Sequence, residues 1–154
     1  MPQQNSGAEN MTSSQNNPPL QKILIAGGGA MGAGIAYIFA RSYPDAQVDV
    51  MDTNEKVRIQ AAENFEKWAA KDKERDEKGG RSFVDTSGRL NILAGFGKAQ
   101  LHYDLMLEAV TENIEVKKKI FNEFDLRAHD TSLFASNTSS LSITTLSTAV
   151  NPRR

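Results

Sequence analysis

From Lys22 onward, short apolar runs alternate with longer segments whose apolar residues recur at helical spacing. KILIA, Lys22 to Ala26, is a β-prone run that leads at once into GGGAMGAG and then the helical pattern IAYIFAR. QVDVMD, Gln47 to Asp52, predicts a second strand, and behind it Val57, Ala61, Phe65 and Trp68 fall along one helical face. Trp68 in that stripe reads as a core anchor. The segment KDKERDEKGGR, 71 to 81, is almost wholly charged and ends in two glycines, so a solvated helix end and turn are expected. RLNIL (89–93), YDLMLEAV (103–110) and SLFAS (132–136) predict three more strands. Asn113 is placed to cap a helix with Glu115 in its first turn and Ile120, Phe121 and Phe124 on its apolar face. Strands alternating with helices predict an α/β fold, with a parallel sheet covered on both sides. Asp49, inside the second strand, is read as facing solvent or marking a partly exposed strand.

Composition narrows the picture. The chain has 154 residues, 39% of them hydrophobic, which suits one globular domain with a single modest core. A formal charge of −1 gives no electrostatic ground for nucleic acid or an anionic membrane as partner. The absence of cysteine excludes disulfides and thiolate metal sites and suits a reducing compartment. His102 and His129 are too few for a metal centre and read as surface histidines. Residues 1–20, rich in Gln, Asn, Ser and Pro, are expected to form a disordered tail ahead of a domain at 21–154. They lack the features of a signal peptide or presequence, and no segment has the length of a membrane span, so the expected address is cytoplasmic.

Gly27, Gly29 and Gly32, with Ala30 and Met31 between them, form G-x-G-x-x-G directly after a strand and at the opening of a helix. In such a turn the first glycine permits the tight bend and the second lets backbone approach a pyrophosphate. The third lets the helix pack against the strand, so that its N-terminal amides aim at the anion. Asp52 lies twenty residues beyond Gly32 (52 − 32), at the end of the second strand, where a carboxylate can accept hydrogen bonds from an adenine-ribose diol. That carboxylate would repel a 2′-phosphate, which favours NAD over NADP. The plainer alternative is a glycine turn and a strand end with no ligand.

Three stretches carry a more specific resemblance. GGGAMGAGIA, EAVTENIEVKKKIF and FASNTSSLSIT together resemble the NAD-binding domain of the L-3-hydroxyacyl-CoA dehydrogenase family, from about Lys22 to the C-terminus. The segment between Ala70 and Ala99 fits loosely. The resemblance implies a Rossmann-type doubly wound parallel sheet with NAD as cofactor and an acyl-CoA as substrate of the complete enzyme. It makes Ser139 the serine that hydrogen-bonds the substrate's 3-oxygen. Glu112 and Lys117 take the family's cofactor and CoA-proximal positions, and Asn137 joins the cofactor site. The alternative for residues 137–140 is a cap on the following turn.

The family's general base is a histidine, oriented by a glutamate, beyond the polar run. The sequence ends before that motif, and neither His102 nor His129 occupies a matching position. The resemblance therefore implies the NAD-binding portion of a dehydrogenase, with the helical C-terminal domain absent and the sheet incomplete at its C-terminal edge. A non-catalytic NAD-binding or regulatory module is the second reading. In strand order 3-2-1-4-5-6 the strand at 132–136 would show a bare outer edge. Self-association through that edge, weakened by Phe134→Lys, or pairing with a separate C-terminal domain is expected.

Overall fold

The computed structural model describes residues 20–152. It contains five parallel strands: β1 (Lys22–Ala26), β2 (Gln47–Met51), β3 (Leu90–Leu93), β4 (Tyr103–Glu108) and β5 (Ala128–Ser136). Helices α1 (Ala30–Ser42), α2 (Glu55–Lys78), α3 (Ile114–Asp125) and α4 (Ile143–Ser147) connect or follow them, with one 3-10 turn at Phe96–Lys98. The sheet order is β3-β2-β1-β4-β5, so β1 is central, β2 and β4 flank it, and β5 forms an edge. The chain turns one way from β1 to reach β2 and β3 and the other way to reach β4 and β5, which is the doubly wound arrangement. The tail expected at residues 1–20 lies outside the described residues except for Leu20, which packs against the core.

The apolar runs are continuous because both sheet faces are covered. On one face Ile23, Ile25, Val48 and Val50 pack with Ala33, Ala36, Ala40, Ala61 and Phe65 of α1 and α2. On the other, Leu24, Ala26 and Met106 pack with Phe121, Phe124 and Leu146. The alanines of α1 let that helix lie close on the sheet. Trp68 adds a partly buried ring against Tyr37, 5.5 Å away, as its place in the α2 stripe predicts.

Several polar expectations change. Asp49 is buried: Tyr103 donates its hydroxyl to one carboxylate oxygen at 2.5 Å, and Asn91 donates its side-chain amide to the other at 2.8 Å. A charged group inside a covered sheet is tolerated because donors from β3 and β4 satisfy it. The charged segment after Trp68 is not wholly solvated either, because α2 continues to Lys78 and turns Asp72 and Asp76 inward. Arg41 of α1 pairs with both and reaches Asp76 at 2.8 Å. Finally, β5 begins at Ala128, ahead of the expected SLFAS stretch. The ladder against β4 shifts between Tyr103 and Leu105, and Ser132 bridges the gap by donating its hydroxyl to the Tyr103 carbonyl at 2.6 Å.

Candidate functional site

The C-terminal ends of β1, β2, β4 and β5 meet at one crevice, where the direction of winding reverses. Gly27 ends β1 with φ +108°, a region that disfavours other residues, and a Cβ there would stand 2.5 Å from the Ala109 carbonyl oxygen. A Cβ at Gly32 would lie 1.8 Å from the Gly27 carbonyl oxygen, so this glycine sets the distance between α1 and the turn. Gly29 differs, because a Cβ there would meet nothing within 4 Å. It is the N-cap of α1, which has neither a side-chain cap nor an acidic residue in its first turn. The first helical bond runs from the Ala33 amide to the Gly29 carbonyl at 2.9 Å, leaving the amides of Ala30, Met31 and Gly32 without intrahelical partners. Open space above unpaired amides at a helix start fits a pyrophosphate.

Beside this turn is a cleft of about 490 Å³, lined by Gly27, Gly29, Met51, Asp52 and Val57 on one side and by Val110, Thr111, Val116 and Lys119 on the other. Asp52 accepts the Gly28 amide on one oxygen and the Asn54 amide on the other, both at 2.8 Å. These bonds fix the carboxylate beside the turn while leaving lone pairs on each oxygen for further donors. Lys119 forms part of this wall. A larger concavity of about 730 Å³, between α1 and α2 around Tyr37, Trp68 and Arg75, lies toward the opposite ends of the strands.

Across β1, a charged cluster closes the other half of the crevice. Glu108, the last residue of β4, and Lys117 of α3 are both buried, with the Lys117 ammonium 2.7 and 2.9 Å from the two carboxylate oxygens. The Val110 amide and the Ser136 hydroxyl also donate to Glu108, each at 2.6 Å. Glu112 stands 3.1 Å from the same ammonium and accepts hydroxyl hydrogens from Thr138 and Ser140. Those hydrogen bonds, with the lysine, draw its carboxyl down to about 2. Lys117 is therefore an internal ion-pair partner, and its ammonium is not a surface group. Asn113 caps α3 by accepting the amides of Glu115 and Val116, which points the start of that helix at the cluster.

The polar run is sorted by these contacts. Ser136, Thr138 and Ser140 turn toward the two glutamates, the Asn137 amide extends the ladder to the Glu108 carbonyl at 2.8 Å, and Ser139 is exposed beside them. The turn that follows is capped from within the run, because the Thr138 hydroxyl oxygen accepts the Ser140 and Leu141 amides, while the next helix is capped by Ser142, which accepts the Thr145 amide. The glycines, Ala30, Met31 and Asp52 thus gather on one side of the crevice, and Glu112, Lys117, Asn137 and Ser139 on the other. Glu108, central to the second group, was not singled out from the sequence. Its signal was an acid directly after the apolar Leu105–Leu107 stretch of a predicted strand. His102 and His129 precede β4 and begin β5, at the opposite ends of the strands, where His129 reaches Asp104 at 3.2 Å. Among the described residues there is no cluster of three or more His, Asp or Glu suited to a metal ion.

A parallel sheet with a glycine turn, an acid closing β2 and a crevice at the winding reversal defines a dinucleotide-binding domain of the Rossmann type. Comparison with known proteins gives the family. The family model for the 3-hydroxyacyl-CoA dehydrogenase NAD binding domain matches residues 22–154, and the chain belongs to that family. It is 33% identical over 135 residues to a mitochondrial hydroxyacyl-coenzyme A dehydrogenase of Sus scrofa, a match covering 84% of this chain and 42% of that protein. With a probable 3-hydroxybutyryl-CoA dehydrogenase of Bacillus subtilis it shares 30% identity over 136 residues, 88% of this chain and 46% of the relative. The solved 3-hydroxybutyryl-CoA dehydrogenase of Escherichia coli K12 superposes with a TM-score of 0.71 at 28% identity, covering 87% of this chain and 28% of that one. The chain spans less than half the length of these relatives. No helix among the described residues is long and apolar enough to cross a membrane.

Proposed function

We propose that the chain is the cofactor-binding portion of a 3-hydroxyacyl-CoA dehydrogenase, which moves hydride between NAD and C3 of a 3-hydroxyacyl-CoA. The observation that carries this reading is the pairing, in one crevice, of the Gly27–Gly32 turn with the Glu108–Lys117–Glu112 cluster beneath Asn137 and Ser139. The α1 amides over Gly29 would hold the pyrophosphate, and Asp52 would accept from the adenine-ribose hydroxyls. Ser139, exposed at the mouth, would hydrogen-bond the 3-oxygen of the acyl chain. NAD, when bound, supplies the hydride acceptor. The chain's own contribution is placement and charge. Both histidines lie at the far ends of the strands, so the proton acceptor would come from a partner domain.

That same placement supports a second reading, an NAD-binding module without turnover. Calorimetry with NADH and NADPH tests the cofactor assignment: NADH is expected to bind more tightly, and Asp52→Ala to narrow the difference. Equal affinity of the unaltered chain for both overturns it. Supplying the C-terminal half of a relative such as the Bacillus subtilis protein separates the two readings, since only the first expects oxidation of 3-hydroxybutyryl-CoA to appear.

A further inference from the structure

The Glu108–Lys117–Glu112 cluster carries an uncompensated negative charge on the β4–β5 side of the crevice, while Asp52 is the carboxylate of the other side and Lys119 a cation in the cleft wall. Lys117 and Glu108 cancel each other in a buried two-oxygen contact, and the Val110 amide and Ser136 hydroxyl complete the Glu108 shell. Glu112 is a second carboxylate on the same ammonium, so two acids and one base leave a net charge of −1. The excess sits on Glu112, whose side chain is 42% exposed while Lys117 is 1% exposed. Thr138 and Ser140 give it hydroxyl donors, which hold the carboxylate ionised and in place. Among the described residues its ion pair is with Lys117.

This inference rests on the cofactor reading above. A dinucleotide with its pyrophosphate at Gly29 extends to both sides of β1, one nucleoside toward Asp52 and the other toward the ends of β4 and β5. With the adenosine beside Asp52, the nicotinamide end falls on the side of Glu112. That ring is cationic when oxidised and neutral when reduced. We propose that Glu112, clamped by Thr138 and Ser140, is a redox-state selector that favours oxidised NAD over NADH in this crevice. A fixed carboxylate attracts the charged ring and is indifferent to the neutral one. Because the group is part-exposed, the effect on relative affinity should be modest, about three- to tenfold.

The test measures dissociation constants for oxidised NAD by calorimetry and for NADH by fluorescence at low ionic strength. The proteins are the unaltered chain, Glu112→Gln and Thr138→Val. Glu112→Gln keeps a carbonyl acceptor for the hydroxyls and removes the charge. It is expected to weaken oxidised NAD about three- to tenfold while changing NADH less than about twofold. Thr138→Val keeps the charge but loosens it, and is expected to shift the ratio in the same direction by a smaller factor. High salt should narrow the ratio in the unaltered chain and leave it nearly unchanged in Glu112→Gln. Equal changes for both cofactors in Glu112→Gln overturn the selector role alone. Failure of the unaltered chain to bind either cofactor overturns the underlying reading and the selector with it.

Discussion

The Lys117 ammonium lies 2.7 Å from a Glu108 carboxylate oxygen, and neither side chain is more than 1% exposed. Each charge has been taken out of water and is satisfied by the other and by nearby donors and acceptors, so removing one strands its partner. Lys117→Met is expected to cost about 3–5 kcal/mol, read as a lower urea midpoint. The double variant Glu108→Leu/Lys117→Met should be less destabilised than the sum of its singles. Strict additivity would show that the two groups do not depend on each other.

The glycines of the turn should separate fold from binding. Gly32→Ala places a methyl group 1.8 Å from the Gly27 carbonyl oxygen, so α1 must move away from the turn. A loss of at least about 2 kcal/mol is expected from thermal unfolding. Gly29→Ala meets nothing within 4 Å and keeps an ordinary φ of −61°. Its stability should stay within about 0.5 kcal/mol of the unaltered chain, while NADH affinity drops. A Gly29→Ala protein that binds NADH normally would show that the cofactor does not approach the backbone there.

Acid should weaken the fold through identifiable carboxylates. Hydrogen bonds from Thr138 and Ser140, with Lys117, draw the Glu112 carboxyl down to about 2. Burial pushes Asp104 upward, but the amides of Lys22 and Gln21 and the His129 ring outweigh it and hold Asp104 below the usual range. Arg41 and Tyr37 do the same for Asp72 against its burial. A carboxyl whose folded value is below its unfolded value stabilises the protein fully above the unfolded value, and that share is lost as pH falls through the folded value. Urea midpoints are therefore expected to hold steady down to about pH 5 and to fall between about pH 4.5 and about pH 2. In Thr138→Val/Ser140→Ala the fall should be shallower. An unchanged slope would remove Glu112 from the account.

At the sheet edge, β5 presents Leu133 at 60% exposure, while Phe134 turns inward with its ring 6.1 Å from Phe121 and 5.9 Å from Phe124. The expected disrupting substitution therefore moves from Phe134 to its neighbour. If the edge pairs with another copy, sedimentation should show concentration-dependent association, and Leu133→Lys should reduce it without the core damage of Phe134→Lys. A monomer at high micromolar concentration would exclude this contact.

Most of the architecture was legible because parallel strands covered on both faces are written as short, largely apolar runs, as in the ILIA of β1 and the LML of β4. The glycine spacing and the Asn113 cap were legible for the same reason, since their geometry is decided within a few residues. What escaped was charge in the interior. Asp49 finds its donor in Tyr103, 54 residues away, and Arg41 finds its acids on α2, more than 30 residues on. Patterning assigns each such group to solvent, because nothing nearby in the chain announces a partner. Lys117 was picked out by resemblance as a site position but not as a buried charge: helical rotation turns it in toward Glu108, while Lys119 lines the cleft.

The central position of β1 bears on the order in which the chain can fold. Its residues pair with β2 on one side, Ile23 with Val48, and with β4 on the other, Ile23 with Leu105. During synthesis the first partner leaves the ribosome soon after β1, but the second emerges some eighty residues later (105 − 23 = 82). Until then one side of KILIA has open hydrogen-bonding groups, and its second face lacks Phe121 and Phe124. The innermost strand is the first of the five described strands to be made and among the last to be enclosed, so a growing chain passes through a long interval in which this apolar segment is available to chaperones or to other chains.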